Sequence, residues 1–242
     1  MPRVIKHPEI RRAEIMDQAF WIFLEYGYEN TSLNDVISRA GMSKGMFYHH
    51  FVSKEDLLAA LSSNMTDATY KAIEPVLTEE GVDPKTRLQN ILDYSAESRL
   101  QSVEVTRSPL ALLLRPENRV LYQCISEAWA ECMRPVIAGI VREGHESGVF
   151  DTSDPDGVAF FILQAATDTK SLVLLGMQAK TAKKRDEVAE ALALRIAFHG
   201  IALSRILGLP DDGLTICPPD FAQRFLQGLN PVGLSKRRKR AG

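Results

Sequence analysis

The stretch Thr31–Leu58, TSLNDVISRAGMSKGMFYHHFVSKEDLL, decides how the rest of the chain is read. Ser32 stands three residues before Asp35, and Ser53 three residues before Asp56, so each pair can form a capping box at a helix start. Ser43 supplies a further cap between them. The spacing predicts two short helices, one from Ser32 to Gly41 and one from Ser43 to about His50. A long helix then opens at Ser53 and runs to about Glu74, where Pro75 is expected to stop it. Val36, Ile37 and Ala40 form the buried side of the first short helix. Gly41-Met42 makes the turn, and Val36, Ala40, Met42, Phe47 and Phe51 would hold the pair at a steep angle. That is a helix-turn-helix, whose second helix is free to enter a major groove of DNA.

The outward residues of that second helix suit the task. Lys44 brings charge to its start, and Gly45 permits close backbone approach. Tyr48 offers a ring for a thymine methyl and a hydroxyl for phosphate, while His49, His50 and Lys54 are phosphate donors. From Thr31 to Lys54 three cations, Arg39, Lys44 and Lys54, face the single anion Asp35, although the whole chain carries a net charge of −2. Lys54 is expected to act through phosphate, so that its loss leaves the fold intact. A helix-turn-helix that serves only as scaffold, with Tyr48 or His49 packed inward, is the bland alternative.

The same stretch resembles the TetR family of bacterial transcription regulators. The matching residues are Gly27-Tyr28-x-x-Thr31-Ser32, then Ala40-Gly41-x-Ser43-Lys44-Gly45-x-Phe47-Tyr48-x-x-Phe51, then Ser53-Lys54-Glu55-x-Leu57, within residues 12–60. The resemblance implies an all-α homodimer whose second short helix reads operator DNA. It implies DNA contacts at Ser32, Asn34, Lys44, Gly45, Met46, Tyr48, His49, His50 and Lys54. Met46 departs from the small or hydroxyl residue commoner at its position.

Upstream, Ile15, Ala19, Phe23 and Tyr26 recur at helical spacing over residues 9–26, and Gly27 ends that helix. Downstream, turn signals at Gly81–Pro84, Arg115-Pro116, Gly148–Pro155, Lys180–Lys184, Pro210–Gly213 and Pro218-Pro219 separate long helical stretches. This gives a DNA-binding domain over 1–55, a helical ligand-binding and dimerisation domain over 56–230, and a basic tail over 231–242. That tail contains Lys236-Arg237-Arg238-Lys239-Arg240, read as a solvated terminus with a nucleic-acid patch as the alternative.

The helix over 185–208 is apolar nearly all round. Ala193, Ala197, Gly200 and Ser204 make a small stripe, and Leu192, Ile196, Leu203 and Ile206 a large one. The preceding helix has a small face of its own: Ile162, Ala165, Ala166, Thr169, Val173 and Gly176. Helices apolar on several sides are buried on several sides, which points to subunit contact through 155–180 and 185–208. The resemblance likewise implies a four-helix dimer interface. A second stripe, with Phe161, Gln164 and Asp168, faces Tyr122, Trp129 and Met133 of an earlier helix. Mixed aromatic, sulfur and isolated polar groups suit a small-molecule cavity, and they suit a plain core equally. Asp168 among apolar neighbours would need a partner, such as Arg99, Arg107 or a polar group of a ligand.

Other classes are excluded or left without support. The apolar runs fall short of the roughly 18 residues of a membrane span, and the start lacks a secretory signal, so a cytoplasmic location without membrane contact is expected. Cys124, Cys132 and Cys217 form no metal or redox spacing. No phosphate loop, metal set or nucleophile–base pair suggests an enzyme, and no cofactor or metal is expected. A ligand-responsive repressor is therefore the leading reading. A helical architectural or partner-binding protein without a small-molecule site is its rival.

Overall fold

A computed structural model describes residues 8–103 and 108–229 of the chain. Arg107, the basic run Lys236–Arg240 and the side chain of Ala166 lie outside the described residues. Among these residues the regular elements are all helical: α1 Pro8–Tyr26, α2 Leu33–Arg39, α3 Lys44–Tyr48, α4 Lys54–Leu77, α5 Pro84–Val103, α6 Pro109–Leu113, α7 Arg119–Glu146, α8 Pro155–Asp168, α9 Lys170–Gln178, α10 Ala182–Ile206 and α11 Phe221–Leu229. A single 3₁₀ turn spans Pro116–Asn118. The chain divides into two compact units. Among the described residues, one is Pro8–Ala72 together with Leu112–Glu131; the other is Ile73–Val103, Ser108–Ala111 and Cys132–Leu229.

In the first unit, α1 presents Ile15, Met16, Ala19, Phe23 and Leu24 to a core shared with Val36, Ile37, Phe47, Phe51, Leu57, Leu58, Leu61, Leu113 and Leu121. Side chains at intervals of three and four on α1 lie over one another, which is why a single stripe suffices. The turn after α1 is built on Gly27 (φ +89°), a conformation an L side chain rarely takes. Thr31 Oγ1 donates to the Gly27 carbonyl at 2.7 Å. The turn is also tied from outside its own segment. Asn118, fully buried, accepts from the Tyr28 amide at 3.1 Å and donates to the carbonyls of Leu24 at 3.2 Å and Leu112 at 3.1 Å.

The long helix α4 does not stop before Pro75 but runs to Leu77. Proline lacks one amide donor, and that loss falls in the last turn, where the Thr78 amide still bonds the Glu74 carbonyl at 3.0 Å.

In the second unit, α11 packs on α5, α9 and α10. Leu226 of α11 lies where a Cβ on Gly176 would stand, and the Leu214 carbonyl comes close over Gly200. Ser204 Oγ, fully buried, accepts from the Leu214 amide at 3.0 Å. The Gln89 side chain clasps Thr215, accepting from its amide at 2.9 Å and donating to its carbonyl at 2.8 Å. The small faces expected to meet a second subunit are thus partly spent inside the protomer. Ala165, Thr169, Val173, Gly176, Gly200 and Ser204 are all buried.

A different surface is left open. Phe160 and Leu175 on α8 and α9 are 53% and 54% exposed, and Leu194 and Phe198 on α10 are 68% and 63% exposed. The stretch Pro155–Gln178 is also long and apolar enough by composition to cross a membrane, which corrects the expectation that no segment approaches that length. Here its apolar character has another use: one side packs on α10, and Asp168 forms ion pairs with it.

Candidate nucleic-acid interface

The two short helices are set by their caps. Ser32 accepts from the Asp35 amide at 3.2 Å, and Asp35 Oδ2 accepts from the Ser32 amide at 2.9 Å, a complete capping box. The Ser32 hydroxyl, donating to Asp35 Oδ2 at 2.6 Å, and then the Ser32 amide hold the Asp35 carboxyl below its ordinary pKa. Ser43 accepts from the Met46 amide at 3.2 Å and starts α3. Between them Gly41 takes φ +62°, the turn residue that lets α3 leave α2 at a steep angle. Phe47 and Phe51, both fully buried, fasten α3 to the core.

With Phe47 directed inward, the rest of α3 faces out. Ser32, Asn34, Lys44, Gly45, Tyr48 and His49 are exposed, and Met46, His50 and Lys54 are half-buried. Tyr48 is 49% exposed, so the packed-scaffold alternative does not describe it. A Cβ built on Gly45 would meet nothing within 4 Å in the protein. The glycine is therefore not required by packing, and the space beside it is free for a close partner.

Lys54 is different from its expected role. Its ammonium donates to the Tyr28 carbonyl, lies 4.0 Å from the centroid of the Tyr28 ring and 6.0 Å from that of Phe23. Burial lowers its pKa against the raising effect of Glu29 and Glu55, and burial beside Glu55 pushes the Tyr28 hydroxyl up to about 12. Lys54 thus locks the start of α4 to the turn after α1. Lys54→Ala is expected to leave the carbonyl of buried Tyr28 with the Thr31 amide at 3.2 Å as its remaining donor and to cost about 0.5–1.5 kcal/mol of stability. Urea unfolding of the variant is the measurement; a midpoint equal to wild type would return Lys54 to a purely external role.

The candidates in the helical region separate. Tyr122 and Trp129, both half-buried, fall in the first unit; Met133 (fully buried), Phe161, Gln164 and Asp168 fall in the second. Asp168 is not enclosed by apolar groups, and among the described residues Arg99 is not its ion-pair partner. It is exposed on α8 and paired with α10: Arg195 Nη1 at 2.8 Å and His199 Nε2 at 3.1 Å. The bond from Arg195 holds its carboxyl below the ordinary range. Gln164 is exposed as well. A cavity of about 450 Å³ lies along α10, lined by Leu194, Ala197, Ile201, Leu214, Ile216 and Phe221 among others, and none of the six candidates borders it. What sequence reading missed is the nearly partnerless pair Ser62 and Thr66, one turn apart on α4. Their hydroxyls are buried and have no hydrogen-bond partner among the described residues. A serine and a threonine at i, i+4 continuing the buried face of Leu58 and Leu61 were the available signal.

Comparison with known proteins agrees with this geometry. Residues 15–61 match the profile of bacterial regulatory proteins, tetR family. The chain is 27% identical over 159 residues to the HTH-type transcriptional repressor DhaR of Mycobacterium sp. (strain GP1), covering 63% of this chain and 76% of that protein. It is 26% identical over 160 residues to the HTH-type transcriptional repressor KstR2 of Rhodococcus jostii (strain RHA1), covering 64% and 74%. Among solved structures, a TetR-family regulator from Pectobacterium atrosepticum superposes with a TM-score of 0.56 at 20% identity, covering 86% of this chain and 100% of that one. The regulator FadR from Bacillus subtilis, solved with stearoyl-CoA, gives 0.54 at 22% identity, covering 76% and 96%.

Proposed function

We infer that this chain, which belongs to the TetR family of bacterial transcription regulators, is a cytoplasmic repressor that binds operator DNA as a homodimer and releases it when a small, mostly apolar effector binds. It is a DNA-binding transcriptional regulator and not an enzyme. The observation that carries the reading is the capped pair α2–α3, which turns Lys44, Gly45, Tyr48 and His49 outward while Phe47 and Phe51 anchor it.

Ser32, Asn34, Lys44, Gly45, Met46, Tyr48, His49 and His50 are the proposed DNA contacts. Lys54 positions the helix-turn-helix and reaches phosphate only secondarily. Tyr48→Ala and Gly45→Ala test this together in a mobility-shift assay on the DNA upstream of the protein's own gene. Tyr48→Ala removes an exposed ring and should weaken binding by about tenfold with the melting temperature unchanged. Gly45→Ala should raise stability by about 0.5–1 kcal/mol, because alanine favours helix over glycine. It should nevertheless weaken binding, since the added methyl stands where DNA must approach. Both variants binding like wild type would remove α3 from the groove.

For the homodimer, the support is the open apolar face of Phe160, Leu175, Leu194 and Phe198 on α8, α9 and α10. Exposed apolar side chains grouped on one face mark an interface more often than a free surface. Two such helical segments per subunit would form a four-helix contact. For the effector, Tyr122 and Trp129 of the first unit and, independently of them, Met133 and Phe161 of the second remain proposed apolar lining, and within the first unit the hydroxyls of Ser62 and Thr66 are proposed anchors for a polar group. A buried hydroxyl without a partner costs free energy that a ligand oxygen or nitrogen recovers. Asp168 and Gln164 belong to the open face instead.

A further inference from the structure

Four nitrogen-bearing side chains from α1 and the end of α3 collect on one side of the first unit. The rings of His49 and His50 lie 5.1 Å apart, inclined at 74°. The Arg12 guanidinium carbon sits 4.8 Å over the ring of Phe51, next in sequence to His50, and Arg12 Nη1 reaches Met16 Sδ at 3.7 Å. Arg11 is one residue away and holds Glu14 at 2.9 Å. Partial burial, His49, Arg12 and Arg11 together keep the His50 imidazole below its ordinary pKa. From α4, Asp56 is turned to the Val52 amide at 2.9 Å and Lys54 to the Tyr28 carbonyl. The carboxylate bound within the group is Glu14, and one carboxylate faces two guanidinium groups and two imidazoles.

The two guanidinium groups disfavour a further positive charge on the imidazole beside them until an anion joins the group. We propose that Arg11, Arg12, His49 and His50 form one clamp for a DNA backbone phosphate beside the groove entered by α3, and that His50 takes up a proton as the phosphate arrives. The clamp rests on the DNA-binding reading above, and adds to it two residues of α1 and a dependence on pH. The direction follows from linkage. The unbound imidazole loses its proton below the usual histidine range, whereas an adjacent phosphate favours the charged form and raises that value. Between the two values each protomer takes up to one proton on binding. Affinity therefore rises as pH falls through that window and levels off below it.

The test uses the full-length protein and a mixed-sequence DNA duplex, because a phosphate contact needs no operator. Fluorescence anisotropy from about pH 8 to about pH 6 at fixed low salt should show affinity rising by up to about tenfold per pH unit for each proton taken up. His50→Gln should be much flatter. Arg12→Gln should bind more weakly at every pH, with the salt slope reduced by about one per contact. The His50 imidazole resonances of the wild-type protein should titrate at higher pH with duplex than without, which decides the matter even where His50→Gln folds poorly. Equal pH dependence in wild type and His50→Gln, or wild-type salt dependence in Arg12→Gln, would overturn the clamp while leaving DNA binding in place. Failure of the wild-type protein to bind any duplex at low salt and about pH 6 would remove the DNA-binding reading and the clamp with it.

Discussion

Phe198→Arg is expected to convert the proposed dimer to a monomer and to weaken operator binding by at least about a hundredfold. Phe198 is 63% exposed, one turn from Leu194 and close to Ile201 on the same helix, so it contributes to the protomer's surface far more than to its core. A guanidinium there would be carried into an apolar contact in two copies, and an unpaired charge in such a place costs several kcal/mol. DNA affinity falls with it, because two reading helices on one rigid dimer engage successive grooves at high effective concentration and a lone half-site does not. Light scattering at micromolar concentration gives the mass, and circular dichroism shows whether the protomer is still folded. Gly200→Arg makes the contrast. Gly200 is buried under the Leu214 carbonyl of its own chain, so that variant should lose helicity rather than dissociate cleanly. A Phe198→Arg protein that remains dimeric would move the interface away from this face.

These two substitutions also mark where sequence reading stops. The caps at Ser32, Ser43 and Ser53 are local: a serine, its neighbours within three residues and a glycine define the helix starts, and the structure places them where the spacing says. The core stripe of α1 is local in the same sense. Whether a small-residue stripe faces a second subunit or the chain's own later segment is not local at all. Gly176 and Gly200 meet Leu226 and Leu214, and nothing in the periodicity of α9 or α10 distinguishes those neighbours from a partner helix. The same holds for Asp168, whose partners Arg195 and His199 lie 27 and 31 positions later on a helix read for its apolar stripes.

Lys54 shows a further limit. The resemblance implies a DNA contact at Lys54, yet its ammonium is directed by the Tyr28 carbonyl and two aromatic rings. Its charge suited phosphate in the sequence; its surroundings in the fold give it a structural task first. Ser62 and Thr66 show the converse, since a helical hydroxyl among polar neighbours such as Ser63, Asn64 and Asp67 reads as solvated or as returning to its own helix carbonyl, and here it is buried and does neither.

Asn118→Ala is expected to lower the melting temperature by about 10 °C and to loosen the DNA-binding unit. Sequence reading saw only a turn at Arg115-Pro116, because an asparagine after Pro-Glu is ordinary in turns. In the structure its amide does what no turn residue needs to do. It satisfies the Tyr28 amide with its oxygen and the Leu24 and Leu112 carbonyls with its nitrogen, all from a fully buried position. Alanine leaves the Tyr28 amide and the Leu24 carbonyl without the Asn118 side chain, while the Leu112 carbonyl keeps the Arg115 amide at 3.1 Å, at about 1–3 kcal/mol for each group that water cannot reach. Even with partial relaxation the sum is on the order of 3 kcal/mol, a large part of the 5–15 kcal/mol that holds a domain together. At about 2–4 °C per kcal/mol for a chain this long, that is the stated shift. Asn118→Asp separates hydrogen bonding from volume. The aspartate keeps the acceptor for Tyr28 but sets a negative oxygen against two carbonyls, so it should be at least as damaging as alanine although it is nearly isosteric. DNA affinity should fall in both variants, since the turn that Asn118 holds carries Tyr28, which Lys54 in turn uses to fix α4 beside α3. An Asn118→Asp protein that melts with wild type would show that filling the space, and not pairing the backbone groups, is what this residue contributes.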